Sequence, residues 1–330
     1  MPARSRRWTA ADVPDQSGRT AVVTGASSGL GLATASVLAS RGATVILACR
    51  DLARAGRAAD RIRAVAPGAG VHVLRLDLAS LASVREAATG IRAAWPRLDL
   101  LINNAGVMRP PYQRSADGFE LTFATNHLGH FALTGLVLPS LLATRGSRIV
   151  TVSSVGHRDG VMRFDDLQSE RGYRADDAYA QSKLANLLFT YELAERLQAA
   201  GHAAIALAAH PGLARTGLFR WDPWLTRALL SQALRPLTFW GLHSARAGAL
   251  ATLRAAADPS ARAGEYYGPG GWHEYTGNPV RVDSAAQSHD PASRRRLWQM
   301  SEQLTGVSYL DVPYPEDHAG TGQGRPLPPR

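Results

Sequence analysis

The chain has 330 residues, of which 45% are hydrophobic and 19% charged, a balance that excludes a disordered or fibrous protein and leaves room for a sizeable core. The formal charge of +10 comes mostly from scattered arginines, clustered only near Arg4, Arg6 and Arg7, across 50–63 and at Arg294, Arg295 and Arg296, so nucleic acid is not an expected partner. One cysteine, Cys49, excludes an intrachain disulfide and a cysteine-based zinc site; no apolar run is long enough to span a bilayer and the basic N-terminus lacks a signal peptide's apolar core, so the expectation is a cytoplasmic protein with no membrane anchor.

Residues 1–19 read as a leader arm. From there, short apolar runs at 20–24, 44–48, 71–76, 98–102, 148–152 and 203–209 alternate with amphipathic, Ala/Leu-rich segments of roughly ten to twenty residues. Such alternation predicts parallel strands joined by crossovers, hence one α/β domain over 20–285 with helices on both faces of a doubly wound sheet. The stretch 286–330 is a C-terminal extension, rich in Pro and Gly at its end and expected to be mobile from about 313.

The first predicted strand runs into Thr24-Gly25-Ala26-Ser27-Ser28-Gly29-Leu30-Gly31 and then a helical pattern over 32–40. A glycine-rich turn opening a helix offers backbone N–H groups and the positive helix end to a pyrophosphate, which points to a dinucleotide. Gly25-Ala26-Ser27-Ser28-Gly29 also satisfies the G-x-S-x-G elbow of serine hydrolases, with Ser27 as nucleophile, but too few residues precede it for the strands that elbow needs. At the end of the second strand Arg50, with Arg54 one turn later, suits a ribose 2′-phosphate and favours NADP(H) over NAD(H); Asp51 is the competing acid. Asp77, followed by Leu78, either accepts from the adenine amino group or caps the helix starting at Leu81. His127 and His130 share a helix face without a third ligand, so no metal is expected.

Tyr179 and Lys183 lie four residues apart on a predicted helix and project from one face. With nine tyrosines and a single lysine in the chain, about 0.03 such pairs arise by chance. An ammonium beside a phenol stabilises the phenolate and brings Tyr179 toward acid/base use, a task for which arginine is a poor substitute.

These residues resemble the short-chain dehydrogenase/reductase family: the glycine loop Thr24 to Gly31, Asn103-Asn104-Ala105-Gly106, Ser153-Ser154, Tyr179 to Lys183, and Pro211-Gly212 fall in the family's order over about 18–283. Leu47-Ala48-Cys49-Arg50-Asp51, Asn126-His127-Leu128-Gly129-His130-Phe131 and Leu184-Ala185-Asn186 are closest in wording to its retinol-dehydrogenase-like branch, including bacterial NADP-dependent oxidoreductases. The resemblance implies a Rossmann fold and hydride transfer with Tyr179 as proton donor or acceptor. It implies Ser154, rather than Ser153, on the substrate oxygen, Lys183 on the nicotinamide ribose, and Asn126 supporting Lys183 through water. It further implies Asn104, Ala105 and Gly106 on the adenosine side of the cofactor, and Thr216 beyond the Pro211-Gly212 turn at its carboxamide or phosphate end. The apolar segment 213–242, with Trp221 and Trp224, would cover a bulky hydrophobic ketone, aldehyde or alcohol, and insertions at 156–177 and 272–279 would narrow the mouth. Helices at 117–143 and 177–200 resemble those that pair subunits in the family, implying a homodimer or homotetramer.

Overall fold

A computed structural model describes residues 7–213 and 244–309. The six apolar runs form strands whose ends shift by up to two residues: β1 (Thr20–Thr24), β2 (Thr44–Cys49), β3 (Val71–Arg75), β4 (Leu100–Asn103), β5 (Arg148–Val152) and β6 (Ile205–Ala209). Two more strands, β7 (Tyr266–Pro269) and β8 (Pro279–Arg281), extend the sheet to the order β3-β2-β1-β4-β5-β6-β7-β8, parallel throughout except for the antiparallel β7–β8 edge. Both added strands are short and carry Gly or Pro, so locally they read as turns; pairing with β6 is what makes β7 a strand.

Alternation along each strand sends apolar side chains to both faces. Val23, Val45, Leu47, Leu100, Ile102 and Val150 enter one core, while Val22, Ile46, Leu101 and Ile149 enter the other. The first core is covered by α1 (Gly29–Ser40) and α2 (Leu52–Val65). The second is covered by α3 (Leu81–Ala94) and by a continuous run made of the turn α4 (Leu121–Phe123), the π-helical Ala124–Leu128 and α5 (Gly129–Leu142). α6 (Ala175–Ala199) lies on that same face, whereas α7 (Ala245–Ala257) returns to the first. The arginine-rich stretch at 50–63 is largely the solvated side of α2, whose apolar side buries Ala55, Ala58, Ala59 and Ile62.

The leader arm is tied down where it is described: Val13 is buried, and Gln16 takes a backbone bond from its N–H to Arg41 O. The C-terminal extension holds a further helix, α8 (Pro291–Thr305), packed on α5 and α6. Trp298 of α8 is 1% exposed and stacks on Phe189, with the Arg196 guanidinium 4.2 Å from its ring centre. Tyr309 donates its hydroxyl to Phe131 O, His127 Nε2 meets Ser301 Oγ at 2.9 Å, and Arg294 pairs with Glu195. Every residue of α6 from Ala180 to Leu197 except Glu195 is buried by the chain itself. The helices that the resemblance assigns to subunit pairing also pack against α8 and Val307–Tyr309.

Candidate active site

The glycine loop connects β1 to α1 at the carboxyl edge of the sheet. Gly25 and Gly29 have φ of +67° and +58°, a backbone region that favours glycine. A Cβ on Gly31 would come within 2.6 Å of the Asn104 side-chain nitrogen and 2.7 Å of Gly25 O, so the loop needs bare backbone there. Ser28 precedes α1 without capping it by its side chain, which leaves the first-turn N–H groups of α1 without that partner and facing the groove they border. The helix therefore starts at Gly29 rather than Leu32, and its N-terminus can receive a pyrophosphate.

That groove, a cavity of about 280 Å³, is lined by Gly25, Ser27, Ser28, Gly29, Leu30 and Gly31, by Arg50, Asp51 and Arg54 at the β2 end, and by Asp77 and Leu78 after β3. The Asp51 carboxylate accepts from Arg54 N at 2.9 Å and so serves as the N-cap of α2. Asp77 does not cap α3, as one reading of the sequence had it; Ser80 holds that position, and Asp77 accepts from Ala79 N at 3.0 Å. Asp77 also lines the groove.

Asn104 lines the same groove as Arg50, Asp77 and Leu78 and also makes a structural tie. Its amide donates to Thr24 O at 2.7 Å, tying the β4 loop to the glycine loop, and Asn104 and Gly106 line both the groove and a second cavity of about 250 Å³. Leu30, Val107 and Met108 are shared as well, so the two cavities are continuous. Thr24 and His130, which sequence reading passed over as site residues, complete this joint. Thr24 Oγ1 accepts from Asn104 N and Ala105 N at 2.9 Å each and meets His130 Nε2 at 2.9 Å, while His130 Nδ1 meets Asn126 O. Burial lowers the pKa of His130 to about 4 and that of His127 to about 3, so both are neutral packing groups. Among the described residues no cluster of His, Cys, Asp or Glu is suited to a metal.

The second cavity brings together Ser154, Tyr179 and Lys183 with Pro211 and Gly212. Ser153 donates to Lys183 O at 2.8 Å, whereas the Ser154 hydroxyl accepts from Gly156 N at 3.2 Å and works against the burial that raises the pKa of Tyr179. Lys183 Nζ lies 5.8 Å from the Tyr179 ring centre and donates to Val152 O at 3.1 Å. Asn126 is fully buried, with its amide clamping both polar groups of Val107 and donating to Ser182 Oγ at 2.9 Å. A Cβ on Gly106 would sit 3.1 Å from Asn126 Oδ1 and 3.6 Å from Lys183 Nζ, so both side chains converge on that glycine.

The electrostatics depart from the simple picture of an ammonium acidifying a phenol. Burial holds the Tyr179 phenol above its ordinary value, opposed by the Ser154 hydroxyl and by the charge of Arg109. Burial also lowers Lys183 to about 8. Arg109, at the cavity wall with φ of +53° and ion-paired to Asp176, carries no motif that would have marked it beforehand. The ends of the 156–177 insertion do border the mouth, through Gly156, Asp159, Asp176 and Asp177, while Met162, Phe164 and Leu167 pack against the core beside α6. Thr216, Trp221 and Trp224, and all of the proposed cover beyond Leu213, lie outside the described residues.

Comparison with known proteins agrees with this geometry. The family model described as "short chain dehydrogenase" matches residues 19–222. Retinol dehydrogenase 14 of Mus musculus is 40% identical over 317 residues, covering 93% of this chain and 91% of that protein, and retinol dehydrogenase 13 of Homo sapiens is 44% identical over 299 residues, covering 89% and 87%. A solved structure of an uncharacterized protein from Mycobacterium paratuberculosis superposes with a TM-score of 0.76 at 41% identity, covering 92% of this chain and 99% of that one. The Pseudomonas aeruginosa RhlG/NADP active-site complex superposes with a TM-score of 0.59 at 25% identity, covering 76% and 94%. Among the described residues no helix is long and apolar enough to cross a membrane. The chain belongs to the short-chain dehydrogenase/reductase family, oxidoreductases that act on alcohol and carbonyl groups with a nicotinamide dinucleotide.

Proposed function

We propose that the protein reduces bulky, hydrophobic ketones or aldehydes with NADPH, and oxidises the corresponding alcohols in reverse. The observation that carries this reading is the meeting of Ser154, Tyr179 and Lys183 in one cavity continuous with the groove of the glycine loop. Gly25, Ser27, Ser28, Gly29, Leu30 and Gly31 would hold the pyrophosphate. Arg50 and Arg54 would hold a ribose 2′-phosphate, a preference supported by the commitment of Asp51 to capping α2. Asp77 and Leu78 would border the adenine, with Asn104, Ala105 and Gly106 at the joint between the cavities, and Pro211, Gly212 and Thr216 beyond it. The bound nicotinamide supplies a hydride to the carbonyl carbon.

Ser154 donates a hydrogen bond to the substrate oxygen, and Tyr179 delivers its phenolic proton to that oxygen as the carbon is reduced. General acid catalysis of this kind is worth about 10²–10⁴ in rate. Lys183 would bind the ribose and stabilise the phenolate left behind, while Asn126 bonds to Val107 and to Ser182, the residue before Lys183. Val107, Met108, Val152, Val155 and Leu213 give the cavity an apolar lining suited to a hydrophobic substrate. The names of the relatives point to one test compound, since retinol is a long apolar alcohol. The test is to mix the protein with NADPH and a panel of bulky carbonyls, retinaldehyde included, and follow the reduced-nicotinamide absorbance. Tyr179→Phe should abolish turnover while leaving NADPH binding intact. Binding without turnover of any carbonyl would mark a cofactor-binding module instead of an enzyme, and ester hydrolysis dependent on Ser27 would mark a hydrolase.

A further inference from the structure

Two segments that wall the reaction cavity are bridged by a residue that belongs to neither. One wall is the 3₁₀ turn Val155–Asp159, which follows Ser154 and lines the cavity through Val155, Gly156 and Asp159. The other is the turn Pro211-Gly212-Leu213 after β6. Glu274, on the loop between β7 and β8, bonds to Arg158 in the first wall and to His210, the residue just before the second. Its Oε1 accepts from Arg158 Nη2 at 2.6 Å, and its Oε2 meets His210 Nε2 at 3.0 Å.

The histidine's tautomer follows from its other contact. Gly212 N donates to His210 Nδ1 at 3.2 Å, so the ring proton sits on Nε2 and is donated to Glu274. The result is a chain of hydrogen bonds from the Gly212 amide through His210 and Glu274 to Arg158. Its geometry leaves little slack. His210 is fully buried, and a Cβ on Gly268 would fall 1.9 Å from its Nε2. The loop is also tied through backbone, with Leu213 N donating to Tyr275 O at 3.0 Å. Gly212, at φ +66°, has no room for a side chain, since a Cβ would meet Tyr275 O at 2.3 Å. His273 and Glu274 both hold left-handed φ, at 47° and 59°, a conformation that side chains disfavour and that surrounding contacts must maintain.

We propose that Glu274 is a positioning residue that locks the Pro211–Leu213 turn to the Ser154 side of the cavity, and so sets the size of carbonyl the site accepts. The selectivity part rests on the reductase reading above; the locking part does not. Neither ring nitrogen of His210 is free for proton transfer, so Glu274 and His210 act on the shape of the site and not on its chemistry.

The experiment compares the wild-type full chain with Glu274→Ala, Glu274→Gln and Arg158→Met. Amide hydrogen exchange at Gly212 and Leu213 should quicken about tenfold or more in Glu274→Ala, with the β6 amides Ile205–Ala209 unchanged, because their acceptors, His210 Nδ1 and Tyr275 O, lose the carboxylate that holds ring and loop in place. The ratio of kcat/KM for a bulky ketone over a small one should move about fivefold or more, through KM more than kcat, since reacting groups stay in place while a wall loosens. Arg158→Met should reproduce part of the effect and add little to it in the double variant, as expected of one chain of bonds. Glu274→Gln, which keeps one acceptor oxygen, should fall between and remains informative should the alanine variant fold poorly. Wild-type exchange at Gly212 and Leu213 in both Glu274 variants overturns the proposal, as does a loss of melting temperature with an unchanged selectivity ratio. A wild-type protein that reduces no carbonyl refutes the reductase reading, and the exchange measurement alone then decides whether the clamp exists.

Discussion

Replacing Lys183 with methionine should make the protein more stable and inactive together. The ammonium is 4% exposed, has Val152 O as its hydrogen-bond acceptor, and is lowered by burial to about 8 from an ordinary 10.5. At pH 7 it is protonated in both the folded and unfolded chain, so the folded state bears the whole difference, about 3 kcal/mol for 2.5 pKa units. Methionine has similar length and no charge. The change forfeits one hydrogen bond, worth about 1 kcal/mol, but Val152 O keeps Asn186 Nδ2 as a donor at 3.1 Å and is not orphaned. The net expectation is a gain of about 2 kcal/mol, or about 3 °C in Tm for a chain of this size. Between pH 8 and 10.5 the unfolded lysine holds a proton that the folded one has released, so wild-type stability rises relative to the variant and the gap closes. The assay is chemical denaturation of both proteins without cofactor at pH 7 and pH 10, beside kcat with NADPH, expected to fall at least about a hundredfold. A variant less stable than wild type at pH 7, or a gap that persists at pH 10, would refute the reasoning.

Acid should unfold the protein early: burial lowers His127 to about 3 and His130 and His157 to about 4, so the unfolded chain binds more protons between pH 6.5 and 4 and stability is lost as pH falls through that window. Each neutral histidine contributes about 2 kcal/mol of that loss by pH 5, and a urea midpoint that stays flat from pH 6.5 to 4.5 would contradict it. Trp298→Ala should cost about 3–5 kcal/mol, because it empties the contact among Phe131, Phe189, Arg196 and Tyr309; a loss under about 1 kcal/mol would show that α8 is not an integral layer. Arg50→Asp should weaken NADPH relative to NADH by about tenfold or more, measured as the ratio of the two dissociation constants, and an unchanged ratio would sink the 2′-phosphate assignment.

What was legible in the sequence was local. Strand–helix alternation and the spacing of the glycine loop, Asn103 to Gly106, Ser154, Tyr179 and Lys183 depend on residues a few positions apart at strand ends, and the sheet's carboxyl edge then gathers them. The joint at Thr24 was not legible, because its bonds to Asn104 and His130 span 80 and 106 residues and a buried neutral histidine looks like any helical one. α8 was missed for a related reason: its sequence is polar overall, and what fixes it is a single tryptophan finding a slot between α5 and α6. Arg158, His210 and Glu274 are separated by more than fifty residues at each step and follow no shared pattern, yet meet through two bonds to the Glu274 carboxylate.

Spacing places Tyr179 beside Lys183 but does not say which protonation states they hold, and burial answers that question. A buried phenol raised above its ordinary value is fully protonated at pH 7. Reduction of a carbonyl needs that protonated form, so the site is ready to donate without any shift in its groups. Oxidation of an alcohol needs the phenolate, which burial disfavours and which the Ser154 hydroxyl and the charge of Arg109 favour only in part. The rate of alcohol oxidation should therefore climb steadily as pH rises above 7, while carbonyl reduction stays level until the phenol begins to ionise. Arg109→Leu removes one of the two groups that oppose burial, so the rising limb of the oxidation profile should move to higher pH, with the carbonyl-reduction plateau unchanged. Oxidation that is already maximal at pH 7 would mean that the bound cofactor reverses the balance set by burial, and Lys183 would then be the group that does it.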